Sequence, residues 1–97
     1  MGKGSRRRPV PKLLAKKLKL IRARLGVGQA EMARLLSKAE SAPDGAMVSR
    51  FERGEREPNL FVILAYARAV AVNPAILIDD DWSLKDLEQA IPKNLGR

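Results

Sequence analysis

Residues 49–72 read SRFERGEREPNLFVILAYARAVAV, and this stretch decides the fold. Phe51 lies among charged residues, Gly54 interrupts the pattern, and Pro58 precedes an apolar run from Leu60 to Ala67. Glycine accepts the left-handed conformation that ends many helices, and proline disfavours helix at the residue before it. The stretch therefore predicts the end of one short helix and, a few residues later, the start of a buried apolar helix.

The residues before this stretch predict two more helices. The first runs from Lys12 to Leu25, with apolar residues at helical spacing and basic residues on the opposite side. The apolar positions are Leu14, Leu18, Ile21 and Leu25, and the basic positions are Lys16, Lys17, Lys19 and Arg24. Gly26 ends this helix. Residues 29–40, QAEMARLLSKAE, then predict a second helix of about three turns.

Residues with capping chemistry mark the starts of the remaining helices. They are, in chain order, Asp44 for a third helix ending at Arg53, Asn59 for a fourth, Asn73 with Pro74 for a fifth, and Ser83 with Asp86 for a sixth. The fourth helix is expected to bury Leu60, Ile63, Leu64, Ala67 and Val70. Because no strand-like alternation persists, the sequence predicts an all-α fold, a compact bundle of five to six short helices.

The chain is 97 residues long and is expected to form a single domain. Residues 1–11, MGKGSRRRPVP, combine glycine, proline and like charges with almost nothing apolar to bury, which predicts a flexible basic arm. Residues 12–97 are then expected to form the helical domain, whose last helix is a short C-terminal extension.

The composition argues against several classes of function. Cysteine and histidine are both absent, which removes disulfides, imidazole bases and the usual zinc ligands. We therefore expect no enzyme, no catalytic residues, no cofactor and no metal. The apolar run is far shorter than the roughly 20 residues of a membrane-spanning helix, and no signal-peptide pattern opens the chain. The sequence predicts a soluble cytoplasmic protein without a membrane partner.

The charge of the chain is strongly positive and unevenly distributed. The formal net charge is +8, and every charged residue before Glu31 is basic, whereas Asp79, Asp80, Asp81 and Asp86 lie near the other end. A basic arm joined to a small domain is commonly used to bind phosphates. The alternative interpretation is a solvated tail that only keeps the protein soluble. The charge distribution favours a polyanionic partner.

Two short helices joined by a turn, with a charged second helix and a buried helix after it, form the arrangement that presents a helix to a DNA groove. Residues 18–77 resemble the lambda-repressor/Cro-like, or XRE, family of helix-turn-helix DNA-binding domains. The matching pieces are IRARLGVGQAEMARLL, VSRFERGEREPNL and LAYARAVAVNPAIL. Together they cover about two-thirds of the chain. Their order and spacing are more specific than any single motif.

The resemblance implies which residues contact double-stranded DNA. Helix geometry agrees with the resemblance. If Val48 and Phe51 face the interior, a step of about 100° per residue places Ala46, Ser49, Arg50 and Arg53 on the opposite side. The predicted DNA-binding residues are Gln29, Gly45, Ala46, Ser49, Arg50, Arg53 and Arg56, together with Arg6, Arg7 and Arg8 of the arm. Arg50 is the candidate for a bidentate contact to guanine, and a phosphate contact or plain surface charge is its alternative.

Glu52 lies close to the buried side of its helix and needs a partner. In related domains an arginine at the position of Arg22 pairs with this glutamate, so the resemblance implies a structural ion pair between the two. We therefore expect Arg22 and Glu52 to hold the first helix to the third and not to contact DNA.

Three features remain open. Residues 37–47 are longer than the family's usual tight turn, so either the second helix continues through Ala39 or a loop bulges towards the DNA. The carboxylates of residues 79–81 are expected to cap the next helix rather than hold a metal. Trp82 either closes the core, which we favour, or forms a partner surface.

The function that the resemblance implies is sequence-specific DNA binding by a transcriptional regulator, a repressor in a prokaryote or its mobile element. Related repressors pair symmetrically on two half-sites, so a homodimer, at least on DNA, is expected. Two alternatives stay open. One is an antitoxin-like protein that binds a protein partner through its C-terminal helices, and the other is a non-specific nucleic-acid-binding protein.

Overall fold

A computed structural model describes residues 10–95 of the chain. This range holds six α-helices and no β-strand, which confirms the predicted all-α bundle. In chain order the helices are α1 (Leu14–Leu25), α2 (Gln29–Leu35), α3 (Gly45–Glu52), α4 (Leu60–Ala69), α5 (Ala75–Ile78) and α6 (Leu84–Ala90). Most of the predicted arm, including Arg6, Arg7 and Arg8, lies outside the described residues, as do residues 96 and 97.

Three of the predicted caps are present at helix starts. The side chains of Asp44 and Asn59 each accept a hydrogen bond from the amide three residues further on, at 2.9 Å in both cases. Ser83 and Asp86 form a reciprocal capping box, with hydrogen bonds of 3.0 and 2.8 Å. Because these bonds satisfy amides that a helix leaves unpaired, local sequence sets where α3, α4 and α6 begin.

Two glycines end helices as predicted. Gly26 follows α1 with φ 72°, and Gly54 follows the end of α3 with φ 74°. These values lie in the left-handed region, which other residues adopt only under strain. The amide of Gly54 donates to the carbonyl of Phe51 at 3.1 Å, and the amide of Glu55 donates to that of Arg50 at 2.9 Å. The chain thus leaves α3 in a tight turn before α4.

The start of α1 differs from the prediction. The helix begins at Leu14 and not at Lys12, and no side chain next to it caps it. Instead the carboxylate of Asp80 accepts hydrogen bonds from the amides of Lys12 and Leu13 at 2.8 and 3.1 Å. These two bonds hold the pKa of Asp80 below its ordinary value. The expectation that residues 79–81 cap the following helix was therefore wrong for Asp80, since Ser83 has that role.

Lys17 was predicted on the polar side of α1, and that prediction was wrong. Its side chain is fully buried, and its ammonium donates to the carbonyl oxygens of Ile76 and Asp79 at 2.7 and 3.1 Å. Burial lowers the pKa of Lys17, although the carboxylates of the 79–86 segment oppose this shift. The cation thus binds carbonyls at the end of α5, where a helix favours positive charge.

The second helix is shorter than predicted. α2 has seven residues and stops at Leu35, so it does not continue as an α-helix through Ala39. The chain then tightens into turns, in which the amide of Ser37 donates to Arg34 and that of Ala39 to Leu36, each three residues back. These turns bring Ala39 against the core, and Ser41 follows with φ 56° before the cap of α3.

The core is built by residues from all six helices and from their ends. α4 buries Val62, Ile63, Tyr66 and Ala67, with Val70 just after it, whereas Leu60 is 74% exposed. The predicted α4 face was thus right for Ile63, Ala67 and Val70, partly right for the half-buried Leu64, and wrong for Leu60. Burial raises the pKa of Tyr66. Trp82 is 45% exposed and does not close the core as favoured above.

The remaining core side chains are Leu14, Leu18, Ile21, Met32, Leu36, Val48, Phe51, Leu77, Leu87 and Ile91. α1 lies at the centre of this packing, in contact with α3, α5 and α6. Between residues 10 and 95 no helix combines the length and the apolar character needed to cross a membrane.

The burial of Lys17 leads to a stability prediction. Replacing Lys17 with methionine keeps the buried hydrocarbon but leaves the carbonyls of Ile76 and Asp79 without this donor. We expect the free energy of unfolding to fall by about 2 kcal/mol. The measurement is urea unfolding followed by circular dichroism. Lys16→Met, at the exposed neighbouring position, is the control and should change stability by less than about 0.5 kcal/mol. A Lys17→Met protein as stable as the parent would contradict this prediction.

Candidate nucleic-acid interface

α2 and α3 pack at close range, although their connection is long. A Cβ atom added to Gly45, the first residue of α3, would lie 3.3 Å from the Cα atom of Ala30 in α2. Such a contact is tighter than side chains normally make. Gly45, which was predicted to contact DNA, therefore also lets the start of α3 approach the backbone of α2.

The inner face of α3 anchors the helix to the core. Val48 is fully buried and Phe51 is 5% exposed, as the sequence predicted. The residues are three positions apart and so lie on the same side of the helix. A charged residue also lies on the inner side, because the side chain of Glu52 is only 4% exposed. An ionised carboxylate in such a place is stable only with partners.

Arg22 of α1 supplies the main partner, as the resemblance implied. Its Nε donates to Oε2 of Glu52 at 2.6 Å, and its Nη2 donates to Oε1 at 3.0 Å. Its Nη1 also donates to the carbonyl of Val27 at 3.0 Å, in the turn between α1 and α2. A planar guanidinium with two parallel bonds to a carboxylate is a strong and directional pair. One arginine thus holds α1, the α1–α2 turn and α3 together.

Gln29 completes the network. The Nε2 atom of this first residue of α2 donates to Oε1 of Glu52 at 3.2 Å. Burial alone would raise the pKa of Glu52, but the hydrogen bonds from Arg22 and Gln29 outweigh it and hold that pKa below its ordinary value. The hydrogen bond to Glu52 also raises the pKa of Arg22. Gln29, which was predicted to contact DNA, supports α3 through its hydrogen bond to Glu52. We refer to Arg22, Gln29 and Glu52 as the Glu52 network.

The outer face of α3 is polar and accessible. Ala46, Arg50 and Arg53 are exposed, and Ser49 is half-buried. Arg50 forms no ion pair with any other residue between 10 and 95, so its guanidinium remains available at the surface. The face predicted from a step of about 100° per residue is thus the face that the fold leaves uncovered.

Arg53 is already occupied by neighbours. Its Nη1 donates to the hydroxyl of Ser49, and its Nε and Nη2 bind the carboxylate of Glu55 at 2.9 and 3.0 Å. This surface pair lowers the pKa of Glu55. Because exposed ion pairs are weak, Arg53 could exchange Glu55 for an anionic ligand at little cost.

Arg56 lies just beyond the turn at Gly54 and is exposed. It pairs with no acidic residue of the described range. Arg50 and Arg56 thus present two positive charges at the surface near the end of α3 that form no direct ion pair within residues 10–95. Arg6, Arg7 and Arg8 lie outside the described residues, so the structure does not place the predicted arm contacts.

Acidic side chains do not gather into a metal site within residues 10–95. Asp80 is directed to the amides before α1, and Asp79 accepts a hydrogen bond from the amide of Asp81 at 2.9 Å. The sequence prediction missed the buried Lys17, and the helical spacing contained the signal: Lys17 follows Leu14 by three residues and precedes Ile21 by four.

Comparisons of the chain with models of known protein families, with curated proteins and with solved structures each find no significant match. The resemblance to the lambda-repressor/Cro-like family therefore stays a prediction from the sequence. What the structure adds is the geometry of α2 and α3 and the polar network behind them.

The Glu52 network yields a prediction for stability. Arg22→Met leaves a buried carboxylate without its main partner, so we expect the free energy of unfolding to fall by about 3 kcal/mol. Arg24→Met is a matched control, because Arg24 pairs with Glu88 at the surface, where the two side chains are 27% and 48% exposed. The control should lose less than about 1 kcal/mol. Equal losses in the two variants, measured by urea unfolding, would contradict the structural role of Arg22.

The lowered pKa of Glu52 predicts a dependence on pH. Its ionised form binds Arg22 and Gln29 in the folded chain, so its contribution is complete above the ordinary glutamate pKa and is lost as the pH falls through the lower folded value. The difference in unfolding free energy between the parent and Glu52→Gln should be constant from about pH 7 to 5 and should shrink below about pH 4. Glu40→Gln, at an exposed position, is the control. A difference that grows on acidification would refute this account.

Proposed function

We propose that this chain is a sequence-specific DNA-binding protein of the lambda-repressor/Cro-like type, in which α2 and α3 form the helix-turn-helix. The observation that carries the proposal is the two-sided character of α3. Val48, Phe51 and Glu52 fasten the inner side to the core, while Ala46 and Arg50 are exposed on the other. A rigidly held helix with an uncovered polar face is what the major groove accepts.

The side chains on the outer face suit base recognition. Arg50 has a planar fork of donors that matches the O6 and N7 acceptors of guanine. Ser49 can donate or accept a hydrogen bond, and the methyl group of Ala46 can pack against the methyl group of thymine. Because these side chains are few, the shape and deformability of the DNA contribute to the choice of sequence.

The remaining basic residues suit contacts to the phosphates. Arg53 would exchange Glu55 for a phosphate oxygen, and Arg56, three residues further on, forms no ion pair within residues 10–95. Arg6, Arg7 and Arg8 of the predicted arm would add phosphate or minor-groove contacts. The net charge of +8 draws the protein to the duplex over the range of the Debye length. Such contacts raise affinity without reading the sequence.

The regulatory part of the proposal follows from the same class. A small domain bound at a promoter excludes polymerase, so we propose a repressor that acts in the cytoplasm of a prokaryotic cell. Two copies on half-sites about one DNA turn apart would double the contacts to the bases. No catalytic step is part of this proposal.

Selection of bound duplexes from a random pool, at a stated salt concentration, tests the proposal. We expect a common sequence to be enriched, and to bind at least about a thousandfold more tightly than random duplex. Equal affinity for selected and random duplexes would indicate non-specific nucleic-acid binding instead. Amide shifts on titration with the selected duplex should map to Ser49 and Arg50. Shifts confined to another surface would overturn the proposal.

Arg50 provides the sharpest variant. Arg50→Ala should weaken binding to the selected duplex by about 5- to 150-fold, and should change binding to random duplex much less. Lys85→Ala removes an exposed positive charge on α6 and is the matched control, expected to stay within about threefold. The measurement is fluorescence anisotropy with both duplexes at one salt concentration. A ratio of specific to random affinity unchanged in Arg50→Ala would exclude Arg50 from base recognition.

A further inference from the structure

An apolar groove lies between α4 and the end of α2. Its volume is about 550 Å³, and its lining includes Leu25, Leu35, Phe61 and Leu64. Leu35 and Phe61 are 48% and 57% exposed, which is unusual for large apolar side chains that lie together. We call this feature the α2–α4 groove. Neither the outer face of α3 nor the Glu52 network contributes a residue to it.

The rim of the α2–α4 groove is mainly basic. Lys38 and Arg68 line it, with Glu40 as its acidic residue. Neither Lys38 nor Arg68 forms an ion pair with another residue of the described range. The groove therefore suits an apolar side chain flanked by carboxylates.

The last residue of α5 and the segment that links α5 to α6 have this chemistry. Ile78 and Trp82 are 44% and 45% exposed, and exposed Asp79 and Asp81 lie between them in the sequence. Asp80 takes no part, because its carboxylate binds the amides before α1. We call Ile78, Asp79, Asp81 and Trp82 the Trp82 knob. Tryptophan is among the residues that most often dominate protein interfaces.

The Trp82 knob cannot fill the groove of its own chain. Asp80 holds the knob at the N-terminal end of α1, next to Lys12 and Leu13. The groove lies at the other end of that helix, where Leu25 lines it. α1 has 12 residues, so the two features are separated by about 18 Å along its axis. A second copy can present its knob where the first copy cannot.

We propose that the α2–α4 groove binds the Trp82 knob of a second copy of this chain. The contact joins two different surfaces and is therefore head-to-tail. Carboxylates of the knob meet Lys38 and Arg68, while Trp82 covers Leu35 and Phe61. The contact is small, and each copy carries a net charge of +8, so the association is weak and transient. It is a property of the free protein and does not depend on DNA binding.

The chain has one tryptophan, which makes the docking directly measurable. Raising the protein concentration from micromolar to about 1 mM should shift the emission of Trp82 to the blue and increase the sedimentation coefficient together. Phe61→Lys spoils the groove and should weaken self-association at least about tenfold. Leu60→Lys adds the same charge at the neighbouring, 74% exposed position outside the groove, and should associate like the parent.

Mixing two defective variants tests the head-to-tail geometry. Trp82→Ala lacks the knob and has no tryptophan signal, whereas Phe61→Lys keeps Trp82 but has no groove for it. Neither should associate alone. Their mixture should restore both the blue shift and the faster sedimentation, because Trp82 of one variant docks in the intact groove of the other. Circular dichroism checks that both variants fold. If Phe61→Lys does not fold, Arg68→Glu, a change at an exposed rim position of the groove, replaces it.

Three results would overturn the proposal. The first is a parent chain that stays monomeric, with unshifted emission, up to about 1 mM, the range of weak interfaces. The second is self-association that survives Phe61→Lys, which would indicate contact through another surface. The third is a mixture of folded variants that behaves like the separate components, which would exclude docking of the knob in the groove.

Discussion

The structure depends on keeping one buried carboxylate ionised. Glu52 lies on the inner side of α3, where a charge without partners would be expelled or neutralised. Arg22 and Gln29 supply three hydrogen bonds from two other helices, and together they fix the position of Glu52. A hydrophobic contact tolerates small slides, whereas a bidentate guanidinium pair has one geometry. The orientation of α3, and with it the direction in which Arg50 projects, follows from that geometry.

A second set of polar contacts fastens the other side of α1. The ammonium of Lys17 binds carbonyls at the end of α5, and the carboxylate of Asp80 binds amides before α1. In one contact a cation of α1 binds the C-terminal segment, and in the other an anion of the C-terminal segment binds the chain just before α1. α1 is thus joined to α3 by Arg22 and to the C-terminal segment by Lys17. Asp80 thus stabilises the start of α1 from the C-terminal segment.

Local chemistry was predictable from the sequence, and contacts distant in the chain were only partly so. Caps and glycine stops act within a few residues, so Asp44, Asn59, Ser83 and Gly54 could be identified from the sequence. α4 is apolar almost all round, and periodicity therefore could not tell that Leu60 is exposed while Val62 and Tyr66 are buried. Asp80 caps a helix 67 residues away in the sequence, for which no local pattern exists. The outer face of α3 followed from helix geometry, and the Arg22–Glu52 pair came from the family resemblance.

The shortness of α3 has a consequence for how its outer surface can be used. α3 has eight residues, well under the roughly 12 to 15 at which an isolated helix becomes even marginally stable in water. Its helical conformation is therefore stabilised by packing against the rest of the bundle. A peptide cut from this region would be an open coil, and transplanting it into another protein would require bringing equivalents of Arg22, Gln29 and the packing behind Val48 and Phe51. The outer surface of α3 therefore exists only as part of the whole bundle.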